Sequence, residues 1–81
     1  VPRSTPLPDW VRTERQRIGD RIRAARLYAN LTQEKVSLAT GIDRSSVNRI
    51  EQGHQAATID TLLLIADAIG VDLAELVRKQ P

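Results

Sequence analysis

The 81-residue chain has no cysteine, methionine or phenylalanine, and only one tryptophan, one tyrosine and one histidine. Without cysteine there is no disulfide and no thiolate metal site. His54 alone cannot hold a metal ion. It also has no histidine or cysteine partner, clustered carboxylates or glycine-rich phosphate loop with which to build a catalytic centre. Neither enzyme activity, nor a cofactor, nor a metal is therefore expected. Two aromatic residues are few platforms for stacking single-stranded bases, which disfavours RNA. No apolar run approaches the roughly 18 residues that span a membrane, and no secretory signal is visible. The expectation is a cytoplasmic protein with no membrane partner.

A chain of this length makes one domain and buries only about 60% of its unfolded surface, so a dimer would add useful stability. Val1–Ser4 resembles the scar of a thrombin-type cleavage linker and is set apart from the fold. Pro2, Pro6 and Pro8 keep residues 1–8 extended or disordered, leaving residues 9–81 as the domain. The formal net charge is only +2, but it is unevenly placed. Residues 1–53 hold ten basic and six acidic side chains, residues 54–81 two basic and four acidic. Ten of the twelve basic residues are arginine, whose planar fork suits phosphates and guanine edges.

Apolar spacing predicts five helices and no strand, an all-α domain. Asp9 is placed to cap a first helix that runs to about Ala29, with Val11, Ile18, Ile22, Ala25 and Ala29 inward and Asn30 ending it in a left-handed conformation. Thr32 caps a second helix, Gln33 to Thr40, in which Val36, Leu38 and Ala39 are apolar. Gly41 makes the turn, and Asp43 caps a third helix, Arg44 to Gln52, that Gly53 stops. Thr58 caps a fourth, Ile59 to Ile69, and Asp72 a fifth, Leu73 to about Arg78. Leu62, Leu63, Ile65, Ala66 and Ile69 supply the core face of the fourth. Trp10 is expected to pack on its own bundle, the alternative being a partner subunit, and Tyr28 to pack along the first helix with its hydroxyl outward.

The second and third helices are separated by about three residues around a glycine, the spacing of a helix-turn-helix, with Val36 and Ala39 facing Val47 and Ile50 across the joint. The third helix keeps little to bury. Ser45, Asn48, Arg49 and Gln52 share one face at three- and four-residue intervals, with Arg44 beside Asn48. Arginine pairs with guanine, and asparagine or glutamine with adenine, in the major groove of DNA. Gln33 opens the second helix, where a free backbone N–H and the helix dipole favour a phosphate.

The segments LTQEKVSLATGIDRSSVNRIEQG and TIDTLLLIADAIGVDLAELV together resemble the phage repressor and Cro-like (Xre-like) helix-turn-helix domains. The likeness spans about Ile18 to Val77 and includes the T-Q-E opening, the turn glycine and the R-I-E-x-G close. It implies a lambda-repressor-like five-helix domain, a transcriptional regulator that binds palindromic operator DNA as a homodimer. It places Arg44, Ser45 and Arg49 toward bases and Gln33 on phosphate. Ser46 and Asn48 flank them, on base or backbone; we assign Asn48 to bases, and Ser46 and Gln52 to phosphates. It also pairs Glu51 with Arg26, a lock between the first and third helices that would present Arg26 to phosphate. The loop GHQAAT lacks the basic residues many relatives carry there, so Arg17, Arg21 and Arg23 are candidates to compensate, Arg17 first. Leu64, Val71, Leu73 and Leu76, with Val77 nearby, are the candidate dimer interface. The alternative function is a protein-interaction module on the same fold, such as an antitoxin-like partner. Such a surface would prefer aromatic or aliphatic anchors on the third helix, and it has none.

Overall fold

The computed structural model describes residues 6–79. The reading of Val1–Ser4 as a scar lies outside them. Five helices follow in order: α1 (Asp9–Tyr28), α2 (Gln33–Thr40), α3 (Arg44–Glu51), α4 (Ile59–Ile69) and α5 (Leu73–Val77). Among the described residues there is no strand.

The helix boundaries follow from short-range chemistry. The Thr32, Asp43 and Thr58 side chains accept hydrogen bonds from the backbone N–H groups of Lys35, Ser46 and Thr61, satisfying one orphan donor each at the starts of α2, α3 and α4. Gly41, at φ 79°, ends α2 in the left-handed region that a residue without Cβ enters freely. Asn30, at φ 60°, is the non-glycine residue that turns the chain after α1. Two expected caps differ. Pro8 rather than Asp9 occupies the cap position of α1, because proline's missing N–H costs nothing at a helix start, and Asp9 is the first helical residue. Asp72 sits at the start of α5, but its side chain makes no cap bond.

The core is one cluster drawn from all five helices: Ile22, Val36, Val47, Ile50, Ile65, Ala66, Ile69 and Leu76. α1 lies across α3, α4 and α5, while α2 packs on α3 and α4. Several apolar residues stay outside. Leu38 and Ala39 are exposed, so α2 faces α3 with Val36 and not with Ala39. Leu63 is 49% exposed and Leu64 48%, which narrows the inward stripe of α4 to Leu62, Ile65, Ala66 and Ile69. Trp10 projects into solvent, and Tyr28 is 93% exposed, contrary to the packing expected for both. Each sits near an end of α1, and Tyr28 borders an open groove between α1 and the α4–α5 turn.

Leu76 is fully buried and belongs to the core, which removes it from the candidate dimer surface. Val71 and Val77 pack partly against that core, Leu73 is partly buried, and Leu64 is the exposed member of the expected patch.

Candidate nucleic-acid interface

α2, Gly41 and α3 form a helix-turn-helix. Val36 below and Val47 and Ile50 opposite are buried, so α3 is rotated with its apolar edge inward and its polar edge outward. The Ser37 hydroxyl donates to the Ile42 carbonyl, and the Thr40 hydroxyl accepts from the Ile42 N–H, so the turn's own polar groups are satisfied.

The seating of α3 on α1 is unusually close. A Cβ built on Gly19 would lie 2.5 Å from the carbonyl oxygens of both Ile50 and Glu51. Only a bare backbone fits there. About two turns further along α1, Arg26 meets Glu51 in a two-pronged pair, Nε to Oε2 at 2.7 Å and Nη2 to Oε1 at 3.0 Å. The pair is buried, at 7% and 2% exposure. Arg26 Nη1 also donates to the Leu31 carbonyl at 2.9 Å, tying the α1–α2 link into the same knot. Parallel donors on a planar fork fix orientation as well as distance.

This geometry revises several sequence assignments. Arg26 is buried with three directed bonds inside the protein, and these hold α3 against α1. Arg17 is spent elsewhere: Nη1 and Nη2 donate to the carbonyls of Arg78 and Val77 at 2.7 and 2.8 Å, and Nε pairs with Glu14. It therefore caps the end of α5. Its hydrogen bonds hold the Glu14 carboxyl below the usual carboxylate range. Arg21 Nε donates to the Glu75 carbonyl, also on α5. Sequence spacing shows that these arginines lie off the apolar stripe, but the partner carbonyls are more than 50 residues away and leave no local signal.

On the outer face, Arg44 and Ser45 are exposed at the start of α3, and Arg49 one turn on. Arg49 Nε donates to Gln55 Oε1 at 2.9 Å, which orders the guanidinium toward the loop after α3. Gln55 is thus a positioning partner that the sequence alone did not reveal. Ser45 and Ser46 both donate their hydroxyls to Asp43. Bonds from the Ser46 hydroxyl, the Ser46 backbone N–H and the Ser45 hydroxyl hold the Asp43 carboxyl below its ordinary range. Gln33 Nε2 donates to both Asn48 Oδ1 and Glu51 Oε1, each at 3.1 Å, and Gln52 Nε2 donates to Asn48 Oδ1 at 3.3 Å. Gln33, Arg44, Ser45 and Asn48 line one concave polar depression of about 380 Å³. A second groove of about 880 Å³ runs between α1 and the α4–α5 turn, lined by residues that include Arg21, Ala25, Tyr28 and Val71.

Among the described residues no three histidine, cysteine or carboxylate side chains come together as a metal site, and no helix is long and apolar enough to cross a membrane.

A turn-coupled helix pair with a polar, arginine-bearing outer helix defines the helix-turn-helix class of DNA-binding transcriptional regulators. The helix-turn-helix family model matches residues 22–76, and the chain belongs to that family, of the Cro/C1 type. The chain is 30% identical in sequence to the restriction-modification controller protein C.AhdI from Aeromonas hydrophila, whose crystal structure superposes with a TM-score of 0.77, covering 79% of this chain and 97% of that one. It is 25% identical over 63 residues to the control protein C.SmaI of Serratia marcescens, covering 78% of this chain and 75% of that protein. It is 33% identical over 63 residues to the HTH-type transcriptional regulator y4dJ of Sinorhizobium fredii, covering 78% and 82%.

Proposed function

We propose that the chain is a sequence-specific transcriptional regulator that lays α3 in the major groove of an operator. The observation that carries this reading is the contrast between the two sides of α3. Val47, Ile50 and Glu51 are locked inward, while Arg44, Ser45 and Arg49 stand exposed on an acid-free outer face. Arg44 and Arg49 read guanine edges, Ser45 and Asn48 reach neighbouring bases, and Gln52 keeps an amide hydrogen for a phosphate. Ser46 reaches phosphate only by giving up its bond to Asp43. The Gln33 backbone N–H, at the start of α2, faces a phosphate through the helix dipole. The likeness to two controller proteins supports a role in control of gene expression.

The regulator acts as a homodimer on a palindrome, its two α3 helices about 34 Å apart in successive major grooves. Half-exposed Leu63 and Leu64 on α4 support an apolar self-association surface. The DNA reading is tested by selecting bound duplexes from a random pool at near-physiological salt, with the double variant Arg44→Ala/Arg49→Ala in parallel. The native protein enriches a palindrome, and the variant loses about 1–3 kcal/mol of discrimination for each arginine removed. Salt-sensitive binding with no enrichment would reduce the interaction to phosphate contact alone and overturn the reading. Light scattering that gives a monomer mass at every concentration would overturn the solution dimer.

A further inference from the structure

The carboxamides of Gln33 and Asn48 are not free to choose which way round they sit. Glu51, paired with Arg26, is a carboxylate and can only accept hydrogen bonds. The atom that Gln33 turns toward it must therefore be the nitrogen. One hydrogen of that Nε2 goes to Glu51 Oε1 and the other to Asn48 Oδ1, both at 3.1 Å. With both hydrogens committed, the side chain of Gln33 has no donor left for a phosphate, which leaves any phosphate contact of this residue to its backbone N–H. Its remaining polar atom, Oε1, is an acceptor, and a phosphate oxygen has nothing to give it.

The same bond sets Asn48. Its Oδ1 accepts from Gln33 and also from Gln52, at 3.1 and 3.3 Å, so its remaining polar atom is the donor Nδ2. Among the described residues neither Gln33 Oε1 nor Asn48 Nδ2 has a hydrogen-bond partner within the protein, and no buried side-chain nitrogen or oxygen is left unpaired. Both residues are partly exposed, so both atoms open to solvent, on the wall of the depression they share with Arg44 and Ser45.

Resting on the DNA-binding reading above, the geometry points to a two-residue adenine reader, with Gln33 Oε1 as fixed acceptor and Asn48 Nδ2 as fixed donor. In the major groove adenine is the base whose own edge carries both a donor, the N6 amino group, and an acceptor, N7. Guanine and thymine show acceptors and cytosine a donor. The chain of bonds from Arg26 through Glu51 and Gln33 to Asn48 thus makes a buried ion pair the source of polarity at the protein–DNA surface. The side chain of Gln33, from α2, becomes a specificity element, while its backbone N–H keeps the phosphate contact proposed above.

The relay has a readout that needs no DNA. In 15N NMR of the free protein, both carboxamide protons of Gln33 exchange with water more slowly than those of Gln55, whose oxygen alone is bonded. The base reading is tested by selection from a random duplex pool with the native protein, Gln33→Leu and Asn48→Asp, each checked for folding by thermal melting. The native protein enriches adenine at one position per half-site. Gln33→Leu lowers that preference by on the order of tenfold and leaves the guanine positions intact. Asn48→Asp, which must present an oxygen where the native residue presents N–H, moves the preference there to cytosine.

The inference is overturned if Gln33 protons exchange as fast as those of Gln55. It is also overturned if guanine, thymine or no base is selected at the position that Asn48→Asp alters, or if Gln33→Leu leaves the adenine untouched. In those cases the native protein still enriches a site, and the regulator reading stands. A native protein that enriches nothing removes the DNA reading and the adenine reader together, whatever the exchange rates.

Discussion

α3 and α4 lie on the same core yet are held in different ways. α4 is long, its inner stripe is Leu62, Ile65, Ala66 and Ile69, and its outer surface still shows Leu63 and Leu64. Burial fixes it, and burial is indifferent to small rotations. α3 has eight residues and two large apolar anchors, Val47 and Ile50. Beyond an N-cap, which α4 also has in Thr58, its remaining constraints are directional: the backbone contact at Gly19 and the Arg26–Glu51 pair. A helix that must aim side chains at a groove needs its rotation set to within a fraction of a turn. Hydrogen bonds with fixed angles supply that better than apolar contact does. The difference teaches that polar burial in this domain serves orientation.

The strongest way to break the comparison is Glu51→Ala. It leaves the Arg26 guanidinium buried without its counter-charge, and the expected loss is about 3–5 kcal/mol in denaturant unfolding. Against a total of about 5–15 kcal/mol for a domain, that leaves the fold marginal. A loss below about 1 kcal/mol would show that α3 is held by its apolar edge after all. Gly19→Ala comes next. The added methyl meets two carbonyl oxygens, and about 1–3 kcal/mol is expected from overpacking. DNA affinity should fall further than stability does, since α3 must shift bodily. Equal stability and affinity in this variant would mean that the close approach is dispensable.

Leu64→Lys sharpens the other side. An exposed position on α4 should change stability by less than about 0.5 kcal/mol. If the proposed dimer uses it, the mass by light scattering drops to that of the monomer at concentrations where the native protein is paired. The smallest effect belongs to Asp43. Its folded carboxyl ionises more readily than in the unfolded chain, so its contribution to stability is present above the ordinary carboxylate value of about 3.9 and is lost as the pH falls through and below it. Asp43→Asn retains a side-chain acceptor for the cap and should flatten the acid limb of the stability curve, measured by melting between about pH 5 and 2.

Much of this was legible in the chain. The starts of α2, α3 and α4 follow from Thr32, Asp43 and Thr58, because a cap acts within three residues. The inward positions Ile22, Val36, Val47 and Ile50 follow from helical spacing. The Arg26–Glu51 pair followed from family resemblance together with the awkwardness of an acid at a helix C-terminus. What misled were residues whose role depends on a neighbour's absence. Trp10 and Tyr28 are apolar in character but lie exposed near the ends of α1, and Leu63 lies just beyond the edge of the buried stripe. Composition cannot tell an empty side from a filled one.

The amino-acid sequence by itself determined where α2, α3 and α4 begin, which edge of α3 turns inward and which chemistry faces out, because capping, turn geometry and amphipathic spacing act over a few residues. Only the tertiary structure decided that Arg17 and Arg21 bind the carbonyls of α5 instead of facing outward, that Gly19 is a contact rather than a weak spot in a helix, and that Gln33 spends both its donors on Glu51 and Asn48. Those partners meet across 15 to 61 residues of chain. The direction of a hydrogen bond between them exists only once the helices have docked.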